Sequence, residues 1–259
     1  MTVEYKGRGD PQRSLALLWR ARREPTRGPK PSLSIDEIVA KAIEIADRSG
    51  LAAVTIRRIA DELKVGTMSL YTYIPGKSEL LDLMLDTVFG EGRTQPPENA
   101  NWREQLMIHA HNDWDMYLRH PWMLQVSDAR SLLGPNEIDL IEAGLRAVTG
   151  LGMTGREMVS TVTLVSNFVR GAAQLAVDAA SAAEQTGVTD EQWWQAREPL
   201  LLEYFDADRY PTIATVDLDG GFLPSGDENS YTLQLAVEDF AFGLERILDG
   251  IEVFISRRG

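Results

Sequence analysis

Several residue types are scarce in this chain of 259 residues, and each scarcity excludes a class of site. There is no cysteine, so neither a disulfide framework nor a thiolate zinc site is possible. Histidine occurs only three times, which removes the commonest nucleophile–base arrangements. No apolar run approaches the roughly 18 residues of a membrane span, and the N-terminus lacks the apolar segment of a secretory signal. We therefore expect a cytoplasmic protein that does not enter a membrane.

The motifs of common enzyme classes are also missing. The chain has no P-loop, no GxGxxG after a predicted strand, no GxSxG and no HExxH. His109 and His111 lie two residues apart on a predicted helix and face different directions, so they cannot share a metal ion. His111 and Asp115 have a suitable spacing, but a surface pair is the simpler interpretation. We expect no catalysis, no cofactor and no metal site.

Charge is distributed unevenly along the chain, whose net charge is −13. Residues 1–94 contain 15 basic and 13 acidic residues, whereas residues 95–259 contain 11 basic and 26 acidic residues. A mildly basic front and a strongly acidic rear fit a DNA-facing module attached to a body that phosphate repels. Chance variation along a globular chain is the alternative interpretation.

Hydrophobic periodicity predicts a chain that is almost entirely α-helical. Residues 1–10 are expected to be disordered, and residues 11–23 can form a short helix ahead of a break rich in Pro and Gly. Ser34 and Glu37 form a capping box for the first long helix, which ends near Gly50. Segment 206–230 lacks helical periodicity and is predicted to be a long loop. Further helices are predicted from Thr55 to about Leu63 and at about 67–73, 78–89, 101–119, 122–133, 136–149, 155–185, 190–205 and 231–256.

The pattern that says most about function lies between residues 51 and 83. Two short helical patterns are joined by a turn at Val65-Gly66, and the second is crowded with small polar residues and tyrosines around one apolar anchor, Leu70. This second helix, 67–73, is too polar for a core helix and too uncharged for an ordinary solvated surface. A DNA major groove accepts a helix of this character.

The segment TIRRIADELKVGTMSLYTYIPGKSELLDLMLD resembles the DNA-binding region of the TetR family of bacterial transcriptional regulators. More loosely, the rear half is similar to the ligand-binding domain of the tetracycline-repressor-like branch, at RHPW (119–122), FVRGAA (168–173) and FGLERILDGIE (242–252). Gly66 departs from the pattern, because many relatives have Ser or another polar residue there. The positions that match the N-terminal pattern are Thr55, Ala60, Val65, Leu70, Tyr71, Tyr73 and Lys77.

The resemblance implies an all-α fold with an N-terminal three-helix helix-turn-helix DNA-binding domain and a C-terminal helical ligand-binding and dimerisation domain. We expect a flexible basic N-terminal arm at 1–32, the DNA-binding domain at 33–92 and the ligand-binding and dimerisation domain at 93–259. The implied function is transcriptional regulation, usually repression, by a homodimer that binds a palindromic operator and is released by a small-molecule effector. An architectural DNA-binding protein, or a regulator controlled by a protein partner without a small ligand, is the alternative.

Side-chain chemistry assigns roles within the expected DNA-binding region. Thr67 and Ser69 are short and polar enough to reach base edges, and Thr72 can place its methyl group against thymine. Tyrosine hydroxyls and a lysine at a helix start suit phosphates. Arg58 is expected to be a solvated or salt-bridged surface charge instead of a DNA contact. The full predicted set is Thr55, Arg57, Thr67, Met68, Ser69, Tyr71, Thr72, Tyr73 and Lys77. The basic residues of the N-terminal arm are expected either to add phosphate or minor-groove contacts or to belong to a disordered tail; they are Arg13, Arg20, Arg22, Arg23, Arg27 and Lys30.

Two further sites are expected in the rear half. Helices 155–185 and 231–256 are predicted to form the dimer interface, because the second is apolar on more than one face; packing within one chain is the alternative. Trp, Met and His side chains in a helical bundle can line a cavity for a largely apolar effector, although ordinary core packing is the alternative for each residue. The predicted effector site comprises Trp102, Leu106, His109, Asp113, Trp114, Tyr117, Trp122, Met123, Phe168 and Trp193.

Overall fold

A computed structural model describes residues 4–20, 33–224 and 230–257 of the chain. Within these residues it contains eleven α-helices, two 3-10 helices and one pair of two-residue strands, which confirms the all-α prediction. Contacts between Cα atoms divide the chain into two compact units, one ending at Leu164 and one beginning at Val165. We call these the N-terminal unit and the C-terminal unit. None of the helices in the described part of the chain is both long and apolar enough to span a membrane.

The N-terminal unit contains seven complete helices and the start of an eighth. Helix α2 packs against α3 and α5, and α6 packs against α7. The 3-10 helices are Leu51–Ala53 and Pro121–Gln125. The α-helices are α1 (Pro11–Leu18), α2 (Ile35–Ser49), α3 (Ile56–Leu63), α4 (Thr67–Tyr73), α5 (Lys77–Phe89), α6 (Trp102–Arg119), α7 (Pro135–Ala147) and α8 (Gly155–Thr186), which continues into the C-terminal unit.

The predicted capping box starts α2. Ser34 Oγ accepts a hydrogen bond from the Glu37 amide at 3.1 Å, and a Glu37 carboxylate oxygen accepts one from the Ser34 amide at 2.7 Å. These bonds satisfy two amides that have no partner inside the helix. The apolar stripe that follows, including Ile38, Ala42 and Ile45, is fully buried, so the predicted core face is confirmed.

The turn between α3 and α4 lies at the predicted residues, Val65 and Gly66, and directly follows a left-handed residue. Lys64 is the residue in the left-handed conformation, with φ of 57°, while Gly66 has an extended backbone with φ of −70° and directly precedes α4. The Val65 amide donates to the Ala60 carbonyl at 3.0 Å and closes α3. Gly66 is therefore not required here for a positive φ, whereas Lys64 carries a strain of about 1–2 kcal/mol.

The expected disorder of residues 1–10 does not hold for residues 4–10. Strand β1 (Glu4–Tyr5) pairs in parallel with β2 (Val126–Ser127). The Lys6 side chain is only 4% exposed and forms ion pairs with Asp128 and with Glu137, the latter at 3.0 Å. The Gly7 amide donates to Asp82 at 2.8 Å. The partners lie 75 to 131 residues away in sequence, so no local pattern could have predicted this packing.

The predicted helix at 122–133 is wrong. The chain forms the 3-10 helix Pro121–Gln125 and then strand β2, whose pairing with β1 requires an extended backbone. Residues 128–134 contain no helix. The last of them form hydrogen bonds with Glu137 in the first turn of α7. The Leu133 amide donates to Glu137 at 2.8 Å, and the Ser131 hydroxyl binds the same carboxylate. Tertiary pairing therefore overrides the apolar periodicity of this segment.

The C-terminal unit consists of the rest of α8 followed by α9 (Asp190–Tyr204), α10 (Pro211–Leu218) and α11 (Tyr231–Ser256). Helix α10 lies within segment 206–230, so the prediction of a continuous loop is wrong. Pro211 occupies the first turn of α10, where its missing amide costs nothing, and Gly220 follows the helix with φ of 71°. This Pro–Gly asymmetry is the sequence signal that would have identified the helix.

Helices α8 and α11 both contribute buried apolar side chains to the C-terminal unit. Val169 and Ala173 of α8 and Leu248 of α11 are fully buried. The Phe168 ring stacks on that of Phe240, with centroids 6.1 Å apart. Gly243 makes this approach possible, because a Cβ atom there would lie 2.4 Å from Phe168 Cζ.

Candidate nucleic-acid interface and effector site

Helix α4 presents the predicted reading surface to solvent. Its one buried residue is Leu70, which anchors the helix on the unit. Met68 is 77% exposed and Tyr71 is 46% exposed, so Tyr71 is not a core residue. Ser69 and Thr72 are also exposed, whereas Thr67 and Tyr73 are half-buried. Short polar side chains on a protruding helix leave its backbone free to approach base edges.

Helix α3 adds polar groups beside this surface. The Arg57 side chain is 88% exposed, and its only described ion pair is a 4.0 Å contact with Asp61. Thr55 Oγ1 accepts the Arg58 amide at 3.1 Å and caps α3, so only its hydroxyl hydrogen remains to donate to a phosphate. Arg58 forms a 3.3 Å ion pair with Glu62, which confirms the prediction of a surface salt bridge.

Lys77 is the first residue of α5 and binds a carboxylate in this structure. Its Nζ lies 3.4 Å from Glu4 Oε1, and both side chains are partly exposed. An exposed ion pair of this kind contributes only about 0–1 kcal/mol, so a DNA phosphate can replace Glu4. The predicted phosphate-binding residue is therefore present and accessible, but it has an internal competitor that sequence reasoning missed.

The expected basic arm is described only in part. Arg13 is exposed, and Arg20 pairs with Asp36 of α2. The remaining basic residues of that prediction, Arg22, Arg23, Arg27 and Lys30, lie outside the described residues.

A buried histidine connects the α2 helix of the expected DNA-binding domain to the end of α6. His120 Nδ1 lies 2.8 Å from Asp47 Oδ1, and His120 Nε2 lies 3.0 Å from Glu91 Oε2. The Trp122 indole donates to the same Asp47 oxygen at 2.8 Å. Hydrogen bonds that involve a carboxylate are charge-assisted and stronger than bonds between neutral groups. We call these four residues the His120 cluster.

A second polar connection joins α5 to α7. Asp86 of α5 accepts the Glu137 amide at 3.0 Å and the Asn136 side-chain amide at 3.2 Å, so it caps α7 from another helix. Gly134 permits this, because a Cβ atom there would lie 2.2 Å from the Asp86 carboxylate. Burial raises the pKa of Asp86, and the hydrogen bonds of the α7 amides oppose that rise. Helix α5 thus connects the reading helices to α7.

Most of the predicted effector residues lie buried around α6. Leu106, His109, Asp113, Trp114, Tyr117, Trp122 and Met123 are all buried in the N-terminal unit, and Trp102 is half-buried. Trp122 already uses its indole N–H inside the His120 cluster. Phe168 and Trp193 belong instead to the C-terminal unit, where Trp193 is 44% exposed and has the Arg197 guanidinium 4.5 Å from its ring centroid. The predicted set is thus divided between the two units.

His109 is a buried polar side chain of α6 with charged neighbours. Its Nε2 lies 3.6 Å from Asp113 Oδ2, and Arg93 binds the other Asp113 oxygen at 3.1 Å. Burial lowers the pKa of His109 despite the nearby carboxylate, so the ring is neutral near pH 7. Gly144 faces this ring, since a Cβ atom there would lie 3.3 Å from it. No group of three acidic or histidine side chains within the described ranges could hold a metal ion.

Comparison with known proteins identifies the family. Residues 38–84 match the model of bacterial regulatory proteins of the tetR family, and residues 95–255 match the tetracyclin repressor-like C-terminal domain. The chain is 41% identical over 263 residues to the HTH-type transcriptional repressor DrrR1 of Streptomyces coeruleorubidus, covering 99% of this chain and 91% of that protein.

Solved structures agree with this assignment. Apo ActR from Streptomyces coelicolor is 27% identical with a TM-score of 0.68, over 89% of this chain and all of that chain. ActR in complex with actinorhodin gives a TM-score of 0.67 at the same identity, over 87% and 99% of the two chains. The exposed polar helix α4, its helical support and these matches together show that the chain belongs to the TetR family of bacterial transcriptional regulators.

Proposed function

We propose that the protein is a homodimeric, cytoplasmic repressor that binds a palindromic operator and leaves it when a small molecule binds. The observation that carries this proposal is helix α4, whose polar side chains are exposed around one buried anchor, Leu70. The 41% identity to a repressor supports the direction of regulation. One such module makes few base contacts, and pairing two on a symmetric site supplies the rest.

The base-reading contacts come from α4, and the phosphate contacts come from its neighbours. Thr67, Ser69 and Thr72 read base edges in the major groove. The tyrosine hydroxyls of α4 and the hydroxyl hydrogen of Thr55 donate to the DNA backbone. Arg57 and Lys77 supply positive charge, and Lys77 does so beside the free amides of the α5 N-terminus. Met68, which is 77% exposed, contacts the thymine methyl group.

Dimerisation through α8 and α11 is supported by their second apolar surface. Besides the side chains these helices bury within the protomer, Leu164 and Leu175 of α8 and Val237 and Phe242 of α11 are 45–64% exposed. Large apolar side chains exposed along two long helices are unfavourable in water and are typical of an interface. A second copy covers both helices and forms a four-helix bundle.

The effector binds beside α6 and changes the spacing of the two reading helices. His109 and Asp113 are its polar contacts, and the aromatic side chains around α6 supply an apolar wall. Movement of α6 reaches the DNA-binding helices through the His120 cluster and through α5, which caps α7 with Asp86. The structure of ActR, which is 27% identical to this chain, was solved in complex with actinorhodin, and this supports control by a small molecule. Differential affinity of about 1–3 kcal/mol for the two spacings suffices.

Selection of bound DNA from a random duplex pool tests the proposal. We expect palindromic half-sites about one helical turn apart, roughly 34–36 Å. Arg57→Ala should lower the slope of log affinity against log salt by about one, whereas Arg146→Ala on α7, which pairs with Glu142, should leave it unchanged. Thr67→Ala and Ser69→Ala should broaden the selected sequence more than they weaken binding to random DNA. Recovery of no preferred sequence would rule out a base-reading role for α4.

A further inference from the structure

A cavity of about 540 Å³ lies within the C-terminal unit, apart from every residue to which the proposed regulator mechanism assigns a role. Helix α9 forms one wall, α10 forms a second, and Phe222, Leu223 and Tyr231 line a third side. This volume falls within the range of roughly 300–1,000 Å³ typical of sites for organic ligands. We call it the α9–α10 cavity.

The walls of the α9–α10 cavity are mostly apolar. Eight of its ten described lining residues are aromatic or aliphatic, including Trp194 and Phe205 of α9, Ile213 of α10 and Phe222 beyond it. Several of these side chains are accessible to water, Trp194 at 38% and Ile213 at 46%. Covering apolar surface gains about 25 cal/mol per Å², so an apolar molecule that displaces water here is stabilised.

The charged groups of the cavity all have one sign. Glu198 of α9 and Asp217 of α10 line it, and none of its described lining residues is Lys or Arg. The two nearest arginines in sequence are engaged elsewhere, Arg197 over the Trp193 ring and Arg209 over the Tyr210 ring. A ligand with positive charge is therefore favoured over a neutral or negative one.

Tyr231 lines the cavity and lies in the negative potential of nearby carboxylates. Its hydroxyl donates to the Phe222 carbonyl at the cavity wall. Burial raises the pKa of the Tyr231 phenol, and the negative charges of Asp190 and Asp217 raise it further. The same field that disfavours a phenolate favours a cation.

We propose that the α9–α10 cavity binds an apolar organic cation, with its hydrophobic groups against Trp194 and Phe205 and its charge beside Glu198 and Asp217. Aromatic faces add to the attraction, since a cation within about 6 Å of a ring centroid is stabilised. The contact is separate from the α6 site and does not depend on DNA. Binding to the cavity can therefore be measured without an operator.

Tetraphenylphosphonium and tetraphenylborate test the proposal, because they share size and shape and differ in charge. Titrated into the full-length protein by calorimetry, the cation should bind saturably and at least about tenfold more tightly than the anion. Glu198→Gln and Asp217→Asn should each weaken the cation roughly three- to fivefold, as expected for partly exposed charges, and leave the anion no weaker. Glu203→Gln on α9 and Asp219→Asn after α10 are matched controls that do not line the cavity, and both should bind like wild type.

Three results would overturn this assignment. The first is equal affinity for the two ions, and the second is cation binding that survives both carboxamide substitutions together. The third is absence of saturable binding at any protein concentration. A cavity that is already filled by a second copy of the chain would give this result and would also overturn the proposal. Since carboxamides preserve side-chain shape, unchanged thermal unfolding of the variants excludes misfolding as the cause. Failure of the regulator proposal would appear separately, as wild-type protein that binds the cation yet selects no duplex.

Discussion

The two units differ in the chemistry of what they bury. Every buried polar or charged side chain among the described residues lies in the N-terminal unit, including Lys6, Asp86 and His120. Within the described C-terminal unit, buried side chains are apolar, and α9 and α10 have no buried residue. The first unit therefore adds buried directional bonds between distant segments to its apolar core, whereas the buried contacts of the second are apolar and leave large hydrophobic side chains exposed.

This difference separates transmission from assembly. A buried polar group that loses its partner costs about 1–3 kcal/mol, so the His120 cluster and the Asp86 cap restrict α2 and α5 to few positions relative to α6 and α7. Apolar contact is non-directional, and exposed leucines and phenylalanines on α8 and α11 favour association with a second copy. A regulator needs both: a unit with discrete arrangements and a unit that pairs.

Gly243 is expected to give the largest effect on stability, because it tests the apolar packing of the C-terminal unit. Gly243→Ala would place a methyl group 2.4 Å from Phe168 Cζ and separate the Phe168–Phe240 stack. Overpacking of this kind costs typically 1–3 kcal/mol. Urea unfolding followed by tryptophan fluorescence should show a correspondingly lower midpoint.

Gly250 on the same helix is the matched control. A Cβ atom there meets nothing within 4 Å in the protomer, so Gly250→Ala should raise stability by up to about 1 kcal/mol through helix propensity. Equal losses at both positions would contradict the assignment of Phe168 as the cause. They would instead place Gly250 in a contact that the single chain lacks, namely the dimer interface.

A double-mutant cycle tests the directional bonds of the N-terminal unit. His120→Ala and Asp47→Ala should each destabilise the protein, and together they should cost less than the sum by about 1–2 kcal/mol, because each removes the same charge-assisted bond. Both variants should also broaden the half-site spacing recovered in DNA selection, since α2 is no longer held to the end of α6. If the stability losses of the two single variants add up in the double variant and the half-site spacing is unchanged, the His120 cluster contributes only local packing and does not position α2.

Whether the sequence predicts a structural feature depends on how far apart in the chain the interacting residues lie. Helix α4 was predicted at its observed bounds, because the Leu70 anchor and the Gly and Pro residues that flank the helix lie within a few residues of it. The partner of His120, Asp47, is 73 residues away, and the Lys6–Glu137 pair spans 131 residues. Such contacts depend on tertiary packing and have no periodic signature. The error at 122–133 has the same origin, since β2 exists only because β1 pairs with it.

The pH dependence of stability should distinguish the units, since all three histidines lie at or before residue 120. Burial lowers the pKa of His109, with Arg93 adding to the effect. As pH falls through the ordinary pKa of 6.5, His109 binds a proton in the unfolded chain but stays neutral in the native protein. The free energy of unfolding therefore decreases until pH reaches the lowered native pKa.

His109→Gln should flatten this slope, measured as the urea midpoint between pH 7.5 and pH 5. Asp82 and Asp86 act in the opposite sense: burial raises the pKa of each carboxyl, so their contribution is full at low pH and is lost as pH rises through the raised values. If the urea midpoint of His109→Gln depends on pH as steeply as that of the wild type, burial of His109 does not cause the loss of stability in acid.

The smallest expected effect concerns Glu4, whose carboxylate pairs with Lys77 of the proposed DNA-binding surface. Glu4→Gln removes the carboxylate 3.4 Å from Lys77 Nζ and leaves β1 able to pair with β2, since that pairing uses backbone groups. A freed Lys77 and one less negative charge near the phosphates should tighten operator binding about two- to fivefold, the range of an exposed ion pair. Fluorescence anisotropy with a labelled operator at 50 and 200 mM salt measures this, and the gain should shrink at the higher salt because the interaction is screened. Lys77→Ala should abolish the gain in the double variant. A gain that persists without Lys77 would mean that Glu4 repels DNA directly and does not compete for that lysine.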